Sequence, residues 1–371
     1  MNPIEMPAHR LTASSIWNSF HSSGKRHLIL TGTRNSGKTT LLAKLFPNKL
    51  PGITTWAEPY QAVFMKDNSE NTSVKIADYN DAISGTKLKM VLRDDVMCAF
   101  GVPILNRCKH STSEWISIDE IGFLEETCEP FKTAIRDLFA CKHVIAVVRK
   151  QDLPFLNELR SRSDVFLVDL DQPFGNAGCV IMASGTGKRF GGNKLMADFL
   201  EKPLITRILD ATDGLFTKQV VVTRHSDVAN LCKNRDIPVV LHDFPHRNDT
   251  IRLGLKAIMP VDRCMFCPGD QPLLSKETIV SLLLSAVNTP EVIWRTSWES
   301  TPGTPVVFPQ WAFAELLTLP ERKGGISVIR NHTEKCKSQS VSNPWELIDT
   351  DTPEVLAKLQ QHALNQRRKQ D

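Results

Sequence analysis

The nine residues GTRNSGKTT, 32–40, meet the spacing G-x-x-x-x-G-K-[ST] through Gly32, Gly37, Lys38 and Thr39. Glycines at these places let the backbone wrap a phosphate. Successive N–H groups, with Asn35, Ser36 and Thr40 in the same turn, then point inward at the positive end of the following helix. Lys38 can reach the β- and γ-phosphates of ATP or GTP, and the Thr39 hydroxyl can ligate Mg²⁺. A glycine turn ahead of a helix could fit the same spacing, but here an apolar run precedes it and a helical pattern comes after it. The partner signal is WISIDEIGFLE, 115–125, an apolar run ending in two acids. Asp119 is placed to hold the metal and its water shell, and Glu120 to orient or deprotonate an attacking water. The same acidic pair could also serve as a helix cap.

A second glycine-rich stretch, MASGTGKRFGGNKL at 182–195, fails the phosphate-loop test. Lys188 is followed by Arg189 instead of Ser or Thr, and Met182 stands where the first glycine should be. What remains is a flexible turn with Gly185 and Gly187, carrying Lys188, Arg189 and Lys194. Backbone amides there can hold a triphosphate while the cations neutralise pyrophosphate and the reacting α-phosphorus. That is the chemistry of nucleotidyl transfer. Downstream, CMFCPGDQPLL, 264–274, ends a strand with Asp270, which faces the crevice where open α/β sheets bind ligands and is a natural Mg²⁺ ligand. An Asp-initiated turn before Pro272 is the plainer reading of the same residues.

The elements that must position these residues alternate. Runs at 27–30, 115–118, 143–148 and 165–170 read as strands, separated by helical patterns at 38–46, 129–139 and 153–161. At 171–176, DQPFGN breaks the pattern. A second series then begins, with strands at 179–183, 219–223, 239–241 and 264–267 and helices at 203–212, 227–234 and 250–259. From Trp294 the order is less regular, until an amphipathic helix at 352–368. The prediction is an α/β chain of two domains, 1–172 and 173–371, each with a mainly parallel sheet covered by helices.

Composition agrees with this reading. A length of 371 residues exceeds what one core usually serves. A formal charge of +4 gives no basis for a general nucleic-acid binder, and apolar runs such as 279–287 are too short to span a bilayer. No signal segment opens the chain, so the expectation is a cytoplasmic protein without a nucleic-acid or membrane partner. Nine scattered cysteines suggest reduced thiols, and Cys264 and Cys267 lack the second pair a zinc site needs. His225, His242 and His246 read as surface or turn residues.

The first 170 residues resemble the small thermophile-type P-loop nucleoside triphosphatases, also called cancer-related NTPases. The resemblance rests on LTGTRNSGKTTLL, GITTWAEP (52–59) and IDEIGFLE followed by Phe131. It implies slow hydrolysis of ATP or GTP without strong base selectivity. The second half resembles the molybdenum-cofactor nucleotidyltransferases, within the Rossmann-like fold of the nucleotide-diphospho-sugar transferases. Here the matching stretches are MASGTGKRFGGNKL, KPLITRIL (202–209), HRNDTIRLGL (246–255), PGDQPLL, TPGTPVVF (301–308) and LIDTDTPEVLAKL (347–359). This resemblance implies attack by the terminal phosphate of molybdopterin on the α-phosphorus of CTP or GTP, with release of pyrophosphate.

Carried over residue by residue, it implies that Arg189 and Lys194 hold the triphosphate and Asp270 the catalytic Mg²⁺, with Asp349 or Asp351 completing the metal site. DTP before a helix is also an ordinary cap at Thr352 and Pro353. Ala183, Ser184, Gly185, Gly187 and Lys188 would line the nucleotide. Ser184 stands where the cytidylyl branch tends to have alanine and the guanylyl branch glycine. HRNDTIRLGL, with Asp249 and Thr250, is closer to the cytidylyl branch, which favours CTP. Thr304 replaces the usual asparagine of the family's G-N-P stretch. The implied partners are a molybdopterin-type small molecule and a molybdenum hydroxylase apoenzyme that receives the product. Two rivals stay open: another phosphorylated acceptor such as a sugar or polyol phosphate, or a nucleotide-switched cofactor-delivery protein.

Overall fold

A computed structural model describes residues 11–80 and 90–368. Its contacts divide the chain into two units, one containing Ser23–Pro173, the other Ser14–Ser22 together with the chain from Phe174 onward. The first helix, α1 (Ala13–Ser23), therefore falls largely with the second unit, although its place in the sequence assigns it to the first domain.

The first unit runs β1 (His27–Thr31), α2 (Lys38–Leu45), β2 (Gly52–Glu58), β3 (Ala62–Asp67), β4 (Ser73–Tyr79), β5 (Met90–Leu92), α3 (Asp94–Lys109), β6 (Trp115–Ile121), α4 (Glu129–Cys141), β7 (His143–Val148), α5 (Pro154–Arg160) and β8 (Val165–Asp169). Its sheet has the order β5-β4-β3-β2-β6-β7-β1-β8. From β2 to β8 the pairs are parallel. Covered on both faces, strands such as HLILT and HVIAVV are almost wholly buried, which is why they read as unbroken apolar runs. Strands β2 to β5 form an antiparallel meander on one edge. The sequence pattern marks no strands there, because a half-exposed strand such as SVKIADY mixes polar and apolar residues.

Cys98 of α3 and Cys128, just ahead of α4, form a disulfide. This corrects the expectation of reduced thiols throughout. Thirty residues apart in sequence, the two meet because α3 packs beside α4. The other seven cysteines are free thiols.

The second unit runs β9 (Ala177–Ala183), α6 (Thr206–Thr212), β10 (Lys218–Thr223), α7 (Ser226–Lys233), β11 (Val239–Leu241), α8 (Arg247–Ile258), β12 (Arg263–Pro268), α9 (Lys276–Asn288), β13 (Ile293–Trp298), β14 (Thr301–Pro309), α10 (Phe313–Leu317), α11 (Ile326–Asn331), β15 (Cys336–Ser340) and α12 (Pro353–Arg367). The sheet order is β11-β10-β9-β12-β14-β13-β15. The four strands from β11 to β12 are parallel, β14 runs against β12 and β13, and β15 is parallel to β13. The Ser19 hydroxyl of α1 donates to the Ser281 carbonyl of α9 at 2.7 Å. Cys264 and Cys267 are buried in β12, and the Cys267 sulfur lies 4.0 Å from that of Cys179, so the CxxC pair is core packing.

Parallel pairing puts the ends of β9, β10 and β12 side by side. Ala183 pairs with Thr223, and Met182 with Pro268. The second glycine loop and Asp270 therefore emerge together at the carboxyl ends of these strands. No helix among the described residues is long and apolar enough to cross a membrane.

Candidate functional sites

In the first unit, β1 runs into the phosphate loop and α2 leaves it. Gly37, at φ +91, occupies the left-handed region at the helix N-cap, where a side chain would be strained. Lys38 is buried and donates to the carbonyls of Gly32 (3.1 Å) and Thr33 (2.7 Å), so its ammonium lies over the loop itself. The loop is tied down by Asp171, a residue that falls in the inter-domain seam of the sequence. Asp171 accepts from the Thr33 amide (3.0 Å) and hydroxyl (2.9 Å) and pairs with Lys150 (3.2 Å). Burial works against its charge, yet these partners hold its carboxyl below the ordinary range.

Asp119 and Glu120 sit at the end of β6, adjacent to β7 and β2 in the sheet. Burial, with the neighbouring Glu120 charge, pushes the Asp119 carboxyl up to about 6, while Lys38 and a hydrogen bond with Thr39 oppose the rise. Thr39 and Asp119, both named as metal ligands from sequence, are thus in contact. Glu120 faces Arg149 at 3.1 Å. Glu125 carries no signal in the motif, but it lines the same cavity. Buried, it is pushed up to about 7 while accepting the Gly122 amide at 2.7 Å. Gly32, Asn35, Gly37, Lys38, Thr39 and Thr40 all line this cavity, as do Trp56 and Tyr60. Ser36 is buried beside Gly32 instead, and its hydroxyl has no partner.

In the second unit, the loop after β9 closes on Gly187. Its carbonyl accepts the amides of Phe190 (2.9 Å) and Gly191 (3.0 Å). At φ +61, a Cβ there would collide with the Gly192 carbonyl, so only glycine allows this turn. Asn193 fixes the exit from the turn, with its amide on Asp227 (2.8 Å) and its carbonyl accepting from Leu195 (3.3 Å). The next residue, Lys194, is turned inward. Its ammonium meets the Asp270 carboxylate and lies 3.2 Å from Asp351, whose other oxygen is 2.8 Å from Arg189. Burial alone would lower Lys194, but Asp270 and Asp351 outweigh it and hold its pKa above the ordinary value.

The tail motif is locked to this centre. The Thr350 amide donates to the Asp270 carbonyl at 2.9 Å. Asp349, raised by burial and by Asp270, accepts from Gln271 at 3.0 Å. Of the two tail aspartates left open by sequence, Asp351 is the one that faces the cations.

The base side of the loop holds a second finding. The Ser184 hydroxyl donates to the Val222 carbonyl (3.0 Å) and lies 2.8 Å from His242 Nε2. His225 Nε2 must carry a proton, since its 2.8 Å partner is the Gly185 carbonyl. Two histidines that read from sequence as turn residues thus hold the glycine loop in place. Ala183, Ser184, Gly185, Gly187, Lys188, Arg189 and Lys194 share one cavity of about 720 Å³ with Thr250, Asp270 and Asp351, a size usual for a small-molecule site.

These geometries define a protein with two separate nucleotide-type centres. Residues 179–336 match the family described as MobA-like NTP transferase domain, and residues 62–174 match a family described as NTPase. A probable molybdenum cofactor guanylyltransferase from Aquifex aeolicus (strain VF5) is 28% identical over 106 residues, 28% of this chain and 51% of that protein. The bifunctional protein GlmU of Thermodesulfovibrio yellowstonii is 31% identical over 109 residues, 28% of this chain and 24% of that one. Nucleoside-triphosphatase THEP1 of Thermotoga sp. (strain RQ2) is 25% identical over 163 residues, 40% of this chain and 89% of its own length. The chain thus spans about half the length of the guanylyltransferase and a quarter of GlmU. Each of the two family matches covers less than half of the chain.

Proposed function

We propose that the second unit transfers CMP from CTP to a phosphate-bearing acceptor of the molybdopterin type, releasing pyrophosphate, while the first hydrolyses ATP or GTP. The observation that carries the transfer reading is the centre in which one buried ammonium, Lys194, faces Asp270 and Asp351 while Arg189 closes on Asp351. A triphosphate lying along the glycine loop would draw Lys194 and Arg189 to its β- and γ-oxygens. The carboxylates they leave are hard oxygen donors facing one point, which fits Mg²⁺, an ion held by one or two carboxylates plus phosphate oxygens. Asp270 and Asp351 would hold that ion, which when bound supplies charge neutralisation at the α-phosphorus and the leaving pyrophosphate.

This chain's residues do the positioning. Gly185, Gly187 and their neighbours offer backbone amides to the phosphates, and Lys194 and Arg189 stabilise the charge that grows on pyrophosphate. An acceptor phosphate oxygen bonds to the α-phosphorus as the bond to the β-phosphate bridge breaks, and the electron pair leaves with pyrophosphate. Ser184 supports a pyrimidine: its side chain, held by Val222 and His242, occupies space that a glycine would leave to a larger base. The relative named as a probable guanylyltransferase supports GTP as the second reading. An acceptor of this type makes a molybdenum hydroxylase apoenzyme the natural recipient of the product.

In the first unit, Lys38 would turn from its own loop carbonyls to the β- and γ-phosphates, Thr39 and Asp119 would hold Mg²⁺, and Glu120 would orient the attacking water. The contact of Thr39 with Asp119 supports that pairing. The test is pyrophosphate release by the purified chain given Mg²⁺, molybdopterin and CTP or GTP in turn. CTP should be the better donor, and sugar phosphates should be poor acceptors. Silence with both nucleotides would contradict the transfer reading.

A further inference from the structure

We propose that Arg295 forms an anion-binding subsite on the β13 side of the second cavity, next to an unfilled hydrogen-bond acceptor on Gln271, and that this subsite holds the phosphate of the acceptor molecule. The assignment to an acceptor rests on the transfer reading above; the anion subsite itself does not.

Arg295 sits in the middle of β13, between Val306 of β14 and Ser338 of β15. It lines the cavity that contains Asp270 and is half-buried. Its Nε is fully buried and has no hydrogen-bond partner. Among the described residues the guanidinium makes no ion pair. Other arginines shielded from water in this protein do find partners: Arg263 donates to the Phe174 carbonyl at 3.0 Å, and Arg160 to the Arg149 carbonyl at 2.6 Å. Burial pulls the Arg295 pKa below its ordinary value, and no carboxylate opposes that pull. A guanidinium partly withdrawn from water without a counter-charge favours a ligand that supplies the charge, and its planar fork matches a phosphate.

Sheet order separates this cation from the nucleotide loop. The loop leaves β9, and the sequence of neighbours is β9-β12-β14-β13. Three strand spacings put Arg295 about 14 Å from β9 across the sheet. Asp270, which follows β12, lies between them. One anion over β9 and a second over β13, with the carboxylate in the middle, is the arrangement an in-line transfer needs, since the nucleophile enters on one side of the α-phosphorus and the leaving group departs on the other.

Gln271 supplies the second observation. It is 2% exposed, and its Nε2 is spent on Thr304 Oγ1 (2.8 Å), Asp349 (3.0 Å) and the Leu347 carbonyl (3.2 Å). Its Oε1 is buried and accepts from nothing. The wall therefore offers a cation and an unfilled acceptor. That set fits a phosphate monoester whose organic part carries N–H or O–H donors.

The experiment compares the full chain with Arg295→Gln and Arg295→Lys. Non-hydrolysable CTP and ATP analogues with Mg²⁺ fill both phosphate loops, and inorganic phosphate is then titrated calorimetrically. The subsite predicts that Arg295→Gln weakens phosphate binding at least tenfold, with Lys intermediate and nucleotide affinity within twofold of wild type. In turnover, the acceptor KM should rise at least tenfold in Arg295→Gln while the KM for CTP stays put. The melting temperature should hold or rise, because an uncompensated cation is removed. Equal phosphate affinity in wild type and Arg295→Gln, or a parallel loss of nucleotide affinity, would overturn the subsite. If wild type releases no pyrophosphate with any acceptor while Arg295→Gln still loses phosphate, the transfer reading fails and the anion subsite stands.

Discussion

The two glycine loops differ less in composition than in where their lysines rest. Lys38 lies on its own loop carbonyls, 2.7 and 3.1 Å away. Lys194 lies between two carboxylates that come from elsewhere in its unit. The first arrangement is self-contained, since cation, amides and the hydroxyl proposed for the metal all come from nine consecutive residues. The second borrows its acids from Asp270 and from Asp351, 76 and 157 residues beyond Lys194. Loop chemistry alone therefore cannot say what a glycine-rich turn does; the partners of its lysine can.

The comparison is broken most severely at the borrowed acid. Asp270→Asn removes the charge that faces Lys194, and transfer should fall on the order of 10³-fold, read as initial pyrophosphate release. NTP hydrolysis by the first unit should be unaffected. Next in size is the turn that shapes the second loop. Gly187→Ala meets both a left-handed φ and the Gly192 carbonyl. Nucleotide binding to the second unit should weaken roughly 10²-fold, as seen by titration, with little change in melting because the loop is largely exposed.

Acid sharpens the contrast between the units. His27 opens β1, the strand that feeds the first loop, and its Nδ1 accepts the Val144 amide at 3.2 Å. Burial lowers its pKa from 6.5 to about 4. Above pH 6.5 the ring is neutral whether folded or unfolded, and its contribution is fully present. Between pH 6.5 and 4 only the unfolded chain takes up the proton, so stability falls with pH by about 3 kcal/mol in all. Asp119 and Glu125 of the same unit, raised to about 6 and about 7, gain stability over this interval, so the His27 contribution is read as a difference: by calorimetry at pH 7.5 and 5, the transition that a non-hydrolysable ATP analogue stabilises should lose about 2 kcal/mol more in wild type than in His27→Gln. A smaller effect concerns the base. Ser184→Gly should shift the CTP-to-GTP ratio of kcat/KM by about tenfold toward GTP; an unchanged ratio would remove Ser184 from base selection.

How much of this was legible in sequence depends on locality. Strands buried on both faces, such as β7, were placed to the residue because an apolar run between breakers has few other readings. The meander of β2 to β5 and the closing strands β13 to β15 were not, since edge strands and antiparallel returns take their pattern from neighbours far along the chain. In the first unit, most of the loop residues that line the cavity stand in one motif. Asp171 was hidden in a seam that looked like linker, and Glu125, though the last residue of WISIDEIGFLE, was given no role because its buried environment appears only on folding. In the second site the motif gave Lys194, Arg189 and Asp270. The roles of His225, His242, Gln271 and Arg295 depend on strand register, which no spacing encodes. The Cys98–Cys128 pairing was invisible for a related reason, since it depends on how α3 packs beside α4.

The central claim, two loops running two chemistries in one chain, is tested most directly by measuring orthophosphate and pyrophosphate together from a mixture of ATP, CTP and molybdopterin. Wild type, Lys38→Ala and Asp270→Asn are compared. The account predicts that Lys38→Ala loses orthophosphate release and keeps pyrophosphate release, and that Asp270→Asn does the reverse. Loss of both products in either variant, or pyrophosphate release that survives Asp270→Asn, would contradict it.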